Sequence, residues 1–443
     1  MTFSGFMAHL DELGLFHMDL TLERMRAFML RAGQPRHQVL HVVGTNGKGS
    51  TATILAELLQ AHGLRVGLYT SPHFVSVRER ILVDGRMLPE NDWASQGTEA
   101  LELSQGLGLT YFELLTAVAV LAFRRAGVDV AVLEAGLGGR YDASNVLEPA
   151  LTVFTPIAMD HMNVLGGTLA EIAADKAGAM RSGGVAVSAP QLVQAWRVLR
   201  DGAAEAGSSF IAGHEVLFYS RANGRVQPGP AGRGFVRAMT GLFLGLQGEH
   251  QEHNARTALA AFHVWAKRLR LPIIEDACRK AFARAFIPGR LQRVAATPEH
   301  PELLLDGGHN AHGLEALARA LSAQELRPGA VIFGCLRDKP LDDMLPLVRA
   351  MTDGPLIAVG IPSCPRAMEP QELAALLGPG ARHAENVHVA LEGLRAAAGG
   401  TPGSDLGPVP SSVLICGSLY LLGEFYTTHH HLLDRPGSQE VRP

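Results

Sequence analysis

Residues 42–52 read VVGTNGKGSTA, a glycine-rich turn carrying one lysine. An apolar run, 39–43, leads into it and reads as a strand, while 50–62 has helical apolar spacing and stops at Gly63. A glycine turn joining a strand to a helix is the usual way a parallel α/β sheet makes a phosphate cradle. Gly44, Gly47 and Gly49 allow backbone N–H groups to turn inward, the helix start adds its positive end, and Lys48 adds a point charge. The common spacing, G-x-x-x-x-G-K-[ST], is not met. Val42 stands in the first-glycine position, Gly49 follows the lysine, and the hydroxyls come at Ser50 and Thr51. A turn with no ligand would not need three glycines around a lysine. Residues Gly44, Thr45, Asn46, Gly47, Lys48, Gly49, Ser50 and Thr51 are therefore expected to face phosphate.

The rest of the chain repeats the strand-then-helix pattern. Runs 65–69, 128–133 and 151–155 read as strands, and 111–125 as an apolar helix. Ligands of open parallel sheets collect at the carboxyl ends of strands. The glycine loop, Ser71, Glu134 and His161 all follow strands, so four distant groups share one expected crevice. From 181 to 246 the pattern weakens, and clusters such as QPGPAGRG suggest hairpins or an inserted loop. Helices return at 254–270, with Asn254 at the start, and at 275–286. IPGRLQRV marks a boundary. A second α/β series has strands at 303–305, 331–333, 356–359 and 413–416. The expected organisation is an N-terminal domain 1–287, a linker 288–298, a C-terminal domain 299–433 and a flexible tail 434–443.

Composition excludes several classes. A chain of 443 residues exceeds one ordinary core, which supports two domains. Apolar residues make up 47% and charged residues 19%, a globular balance. The formal net charge of −4 gives no field toward nucleic acid or anionic membrane. Cys278, Cys335, Cys364 and Cys416 form no C-x-x-C pair, so reduced thiols are expected rather than a thiolate metal site. The first residues, MTFSGFMAHLDELG, lack a secretory pattern, and no apolar run reaches membrane-spanning length. A cytoplasmic monomer with small-molecule substrates, bound to neither nucleic acid nor membrane, is expected.

Ordered motifs narrow this further. Besides GTNGKGS the chain has TSPHF (70–74), ERILVDG (79–85), TYFELLTAVA (110–119) and EAGLGGRYDASN (134–145). DHMNVLGGTLAEIAADKAG (160–178), PGRLQ (288–292) and DGGHN (306–310) follow. The series resembles the Mur ligase superfamily, in its folylpolyglutamate synthase and dihydrofolate synthase branch. The fold implied is α/β: a P-loop parallel-sheet ATPase domain plus a smaller Rossmann-like C-terminal domain. The activity implied is ATP-dependent ligation of L-glutamate to dihydropteroate, to the γ-carboxylate of folates, or to both, through an acyl phosphate. LFHMDLTLERMRAFML (15–30) looks like the pterin-side helix of bacterial bifunctional forms.

The resemblance also implies roles. Two Mg²⁺ ions are expected, one near Ser71 and Glu134, the other near His161 and a carbamylated Lys176. Lys48, Lys176 and His309 are expected to be catalytic. Asn254, Arg290 and Asp306 join the glycine loop in holding ATP, and His309 and Ser418 meet the glutamate. Blander readings stand beside these. Glu134 could cap a helix, Lys176 could pair with Asp175 on a helix surface, Asn254 and Ser418 could be caps, and Arg290 could make ion pairs. Gly308 replaces the family's usual alanine, Asp175 its usual glutamate, and Pro340 ends RDKP where D-K-D is usual. The alternatives are a cell-wall Mur ligase, a non-ligase P-loop protein and an ATP-binding module. The first normally carries a separate UDP-binding domain, for which the stretch before residue 39 is short. The second leaves DKAG, DGGHN and the second domain unexplained, and the intact set Lys48, Ser71, Glu134, His161 and Lys176 argues against the third.

Overall fold

The computed structural model describes residues 1–14, 19–297, 300–398 and 410–435. Two compact units emerge: Met1–Gly245 with Glu252–Ala285, and Leu246–Gln251 with Phe286–Pro443. Among the described residues no helix is long and apolar enough to cross a membrane.

The first unit is built on eight strands: β1 (Gln38–Val43), β2 (Val66–Tyr69), β3 (Ile81–Val83), β4 (Arg86–Met87), β5 (Val130–Glu134), β6 (Leu151–Phe154), β7 (Val185–Ser188) and β8 (Ser209–Ala212). Their spatial order is β4-β3-β2-β5-β1-β6-β7-β8. Pairing is parallel from β2 through to β8, while β3 and β4 run antiparallel at one edge. Central strands covered on both faces must be apolar throughout, and β5 is buried at every position. Helix Tyr111–Ala126 covers part of the sheet. A reciprocal Thr110–Glu113 capping box starts it and left-handed Gly127 ends it. Phe6, Trp93, Leu115 and Phe123 are fully buried around it, each side chain contributing about 2 kcal/mol by leaving water.

Register decides where the site forms. Val42 of β1 lies opposite Glu134 of β5, and Tyr69 of β2 opposite Leu133. The glycine loop, Glu134 and the residues after Tyr69 therefore leave the sheet side by side.

Region 181–246 differs from the expected hairpins or insertion. It contributes β7 and β8 to the main sheet, with helix Val193–Ala206 as their crossover. Only its later part is a hairpin, β9 (Leu217–Ser220) with β10 (Arg225–Pro228). β7 and β8 have four residues each, too short to show a period.

The second unit has β11 (Gln292–Val294), β12 (Glu302–Asp306), β13 (Ala330–Phe333), β14 (Leu356–Val359), β15 (Arg382–Ala384) and β16 (Ser412–Cys416), in the order β11-β12-β16-β13-β14-β15. Only β11 is antiparallel. It lies within the stretch 288–298 read as linker, so part of that stretch is a sheet edge. Of the tail 434–443, residues 436–443 lie outside the described residues.

Candidate active site

The glycine loop closes onto the segment after β6. Thr45 and Asn46 donate their N–H groups to the Pro156 carbonyl, at 3.1 and 3.2 Å. The Thr45 hydroxyl accepts the Ala158 N–H at 3.1 Å. These two N–H groups tie the loop down and do not turn inward as expected. The N–H groups of Lys48, Gly49 and Ser50 open helix Lys48–Ala61 and have no intrahelical acceptor, so they are the donors this turn leaves available. Thr51 also departs from expectation: it is fully buried, its N–H goes to Gly47, and its hydroxyl has no partner. It packs under the loop.

Two glycines are dictated by close approach. A Cβ at Gly44 would fall 2.0 Å from Thr155 Oγ1, and one at Gly47 (φ +82°) 2.3 Å from Asn254 Oδ1. Asn254 is buried against the loop, yet it does not start its helix, which runs Glu249–Leu269. The capping role is thereby excluded. The helix begins instead just after Gly248, which sits at φ +100°.

Glu134 ends β5 and is 4% exposed. Its Oε2 accepts the Ser71 N–H at 3.1 Å and would lie 3.4 Å from a Cβ at Gly49. Glutamate, serine and the first helical turn after Lys48 thus meet. The Ser71 turn is held by Glu79, whose carboxylate accepts the N–H groups of Phe74, Val75 and Ser76 at 2.9, 3.0 and 2.8 Å. Lys48 folds back, its Nζ 3.2 Å from the Thr45 carbonyl.

Lys176 is not the surface lysine that sequence alone suggests. It is 3% exposed, and its Nζ donates to the Gly44 carbonyl at 2.9 Å. Burial, helped by the charge of Lys48, pulls its pKa down to about 7, against the opposite pull of Asp175, Asp160 and Asp142. Asp175 does not bond Lys176 in a surface pair; its Oδ1 accepts the Gly139 N–H at 2.9 Å. A Cβ at Gly139 would sit 2.8 Å from the Lys176 backbone, so the glycine run after Glu134 packs directly on the lysine. His161 caps the short helix Met162–Leu165 in a left-handed conformation (φ +51°), its side chain 44% exposed and its Nε2 4.0 Å from Asp160.

The second unit gathers another group at the carboxyl ends of β12 and β16. Buried Asp306 accepts the N–H groups of Leu291 and Gly308, both at 2.8 Å. Burial pushes its carboxyl up, and Arg290 pulls it back. His309 Nδ1 lies 2.9 Å from the Gly307 carbonyl, so the ring carries its proton there. Ser418 is buried and caps helix Leu419–Tyr426, accepting the Tyr420 N–H at 3.1 Å, the blander of its two readings. Asp338 pairs with Arg366 at 2.5 Å.

Among the described residues no three His, Cys, Asp or Glu side chains cluster to hold a metal. The Ser71–Glu134 pair nonetheless fits Mg²⁺, which takes one or two protein oxygens and fills its octahedron with phosphate and water. His161 and Lys176 fit a second ion only when Lys176 bears an anionic oxygen, since an ammonium cannot ligate.

Sequence reasoning missed the network behind the loop. Asp142 accepts N–H groups of Leu137 and Ser144, both at 3.0 Å, and the Ser144 hydroxyl, which lies 2.8 Å from His41 Nε2. Asp142 stood within a quoted motif, but nothing marked His41.

The fold and this site define a class, the P-loop α/β ligases, and the comparisons agree. The Mur ligase middle domain matches residues 42–262, and the Mur ligase glutamate ligase domain matches 289–419. The dihydrofolate synthase/folylpolyglutamate synthase of Bacillus subtilis (strain 168) is 37% identical over 341 residues, 73% of this chain and 77% of the relative. Among solved structures, E. coli FolC in complex with DHPP and ADP superposes with a TM-score of 0.84 at 30% identity, covering 97% of this chain and 98% of that one. A bifunctional folylpolyglutamate synthase/dihydrofolate synthase with Mn, AMPPNP and L-glutamate bound gives 0.82 at 30% identity, with 97% and 98% covered. The chain belongs to the dihydrofolate synthase/folylpolyglutamate synthase family of Mur ligases.

Proposed function

We propose that this chain joins the α-amine of L-glutamate to a pteroyl carboxylate, with ATP as phosphoryl donor. The acceptor is dihydropteroate, the γ-carboxylate of a folate, or each in turn. A carboxylate does not react with an amine because oxide is a poor leaving group. Transfer of the γ-phosphoryl group gives an acyl phosphate; the amine then attacks its carbonyl carbon, and phosphate leaves. The observation that carries this reading is the meeting of Glu134, Ser71, Lys48 and Lys176 around one glycine loop in a chain that matches both Mur ligase domains.

The helix-start N–H groups and Lys48 bind and neutralise the phosphates. Removing one such preorganised donor typically raises a barrier by about 3–4 kcal/mol. Asn254, over Gly47, borders the nucleotide. Ser71 and Glu134 would hold one Mg²⁺, and His161 with carbamylated Lys176 a second; bound ions would offset charge on the transferring phosphoryl group. The carbamate forms when neutral Lys176 Nζ adds to CO₂ and loses a proton. Burial favours that step by holding the amine near neutrality. Arg290 and Asp306 are assigned to ATP, and His309 and Ser418 to glutamate. The Ser418 hydroxyl accepts at its cap and retains its proton to donate. One chain in the cytoplasm suffices for this chemistry.

A cell-wall ligase would run the same reaction on a UDP-sugar peptide, but the relative and the two structures named above are folate-type. Phosphate release should require ATP, L-glutamate and either dihydropteroate or tetrahydrofolate, assayed side by side. Release with neither pteroyl acid, or with a UDP-sugar peptide in their place, would end this reading.

A further inference from the structure

We infer that His41 is a positioning residue for the reaction, acting through Ser144 and Asp142 on the loop that packs against Lys176. All three side chains are buried, at 1%, 2% and 5% exposure, and reaction partners cannot reach them. Their proton order follows from chemistry. Burial pushes the Asp142 carboxyl up, while the Ser144 hydroxyl and the N–H groups of Leu137 and Ser144 on its two oxygens pull it back and favour the carboxylate. The Ser144 hydroxyl therefore donates to Asp142 and accepts from His41, whose Nε2 must carry the proton. Burial, with the Arg181 charge, holds the imidazole neutral, its pKa lowered to about 3.

The geometry runs in one direction. His41 lies on β1, three residues before Gly44. Asp142 ties Leu137 to Ser144 and so closes the loop that follows Glu134. The same loop donates from Gly139 to Asp175 Oδ1 at 2.9 Å and from Arg140 to the Asp175 carbonyl at 2.9 Å. Lys176 is the next residue, and its Nζ returns to Gly44. Strand, loop and lysine helix form a closed circuit; among the described residues the loop's backbone tie to β1 is Ala135 N–H to the Val42 carbonyl, and its side-chain tie is His41 to Ser144. Loss of that bond frees the loop to shift relative to the phosphate cradle, and a 1 Å misplacement of a reacting group can cost about a hundredfold.

The test uses the full chain with His41→Leu, which keeps bulk and removes the donor, and His41→Gln, whose amide nitrogen reaches the same place. His41→Leu should lower kcat about tenfold with the Kd for ATP within about twofold, and speed amide exchange at Leu137 and Ser144. His41→Gln should recover most of both. Wild-type kcat and exchange in His41→Leu would overturn the inference, as would a glutamine variant no better than leucine. Should His41→Leu not fold, Ser144→Ala takes the same readings. The kinetic arm rests on the ligase reading; the exchange arm does not, so a chain with no ligase activity would still test the network.

Discussion

Replacing Lys176 by methionine should stabilise the chain while stopping turnover. A lysine held near 7 rather than 10.5 carries a charged form disfavoured by roughly 5 kcal/mol. Methionine removes that burden and fills similar volume. It also removes the bond to the Gly44 carbonyl, worth about 1 kcal/mol, or about 3 kcal/mol where the carbonyl is left unpaired. The net expectation at pH 7 is a gain of about 2–4 kcal/mol, or about 3–7 °C in Tm for a unit of this size. The sign with pH follows from linkage. Between about 7 and 10.5 the unfolded lysine is protonated and the folded one is not, so wild-type stability rises with pH across that window. The gap between variant and wild type should be widest at pH 7 and below, and close toward pH 10. Thermal unfolding of both proteins in CO₂-free buffer, from pH 6.5 to pH 10, measures it. A variant less stable than wild type at pH 7, or a gap that ignores pH, would refute the burial argument.

Glu134→Gln keeps the acceptor for Ser71 N–H and removes the charge; the Mg²⁺ concentration for half-maximal activity should rise at least about tenfold. Gly47→Ala places a methyl 2.3 Å from Asn254 Oδ1 at a left-handed φ; calorimetry should show about 1–3 kcal/mol of destabilisation, and ATP titration weaker binding. Glu79→Ala frees the N–H groups of Phe74, Val75 and Ser76; amide exchange there should quicken, and kcat should fall further than the affinity for ATP. Bicarbonate should raise the activity of wild type purified without CO₂ and do nothing for Lys176→Met.

The sequence reached far where chemistry is local. GTNGKGS announced a strand, a turn and a helix in one stretch, and the run ending at Glu134 announced the strand that stands beside it. Short or edge elements were illegible: β3, β4 and β15 hold two or three residues, and β7 and β8 hold four each. Burial at Lys176 could not be read from ADKAG, because the groups that enclose it, Gly139 and the Gly44 carbonyl, are 37 and 132 positions away. The bond from His41 to Ser144 spans 103 positions and leaves no periodic trace. Thr51 shows the converse: a hydroxyl at a motif-like position that helix geometry turns into the core.

Activation of a carboxylate by phosphoryl transfer is the claim on which the rest depends, and oxygen tracing addresses it directly. Dihydropteroate carrying ¹⁸O in its carboxylate, turned over with ATP and L-glutamate, should deliver one labelled oxygen to inorganic phosphate for each amide bond formed. Label confined to the amide product and water, with unlabelled phosphate, would contradict the account.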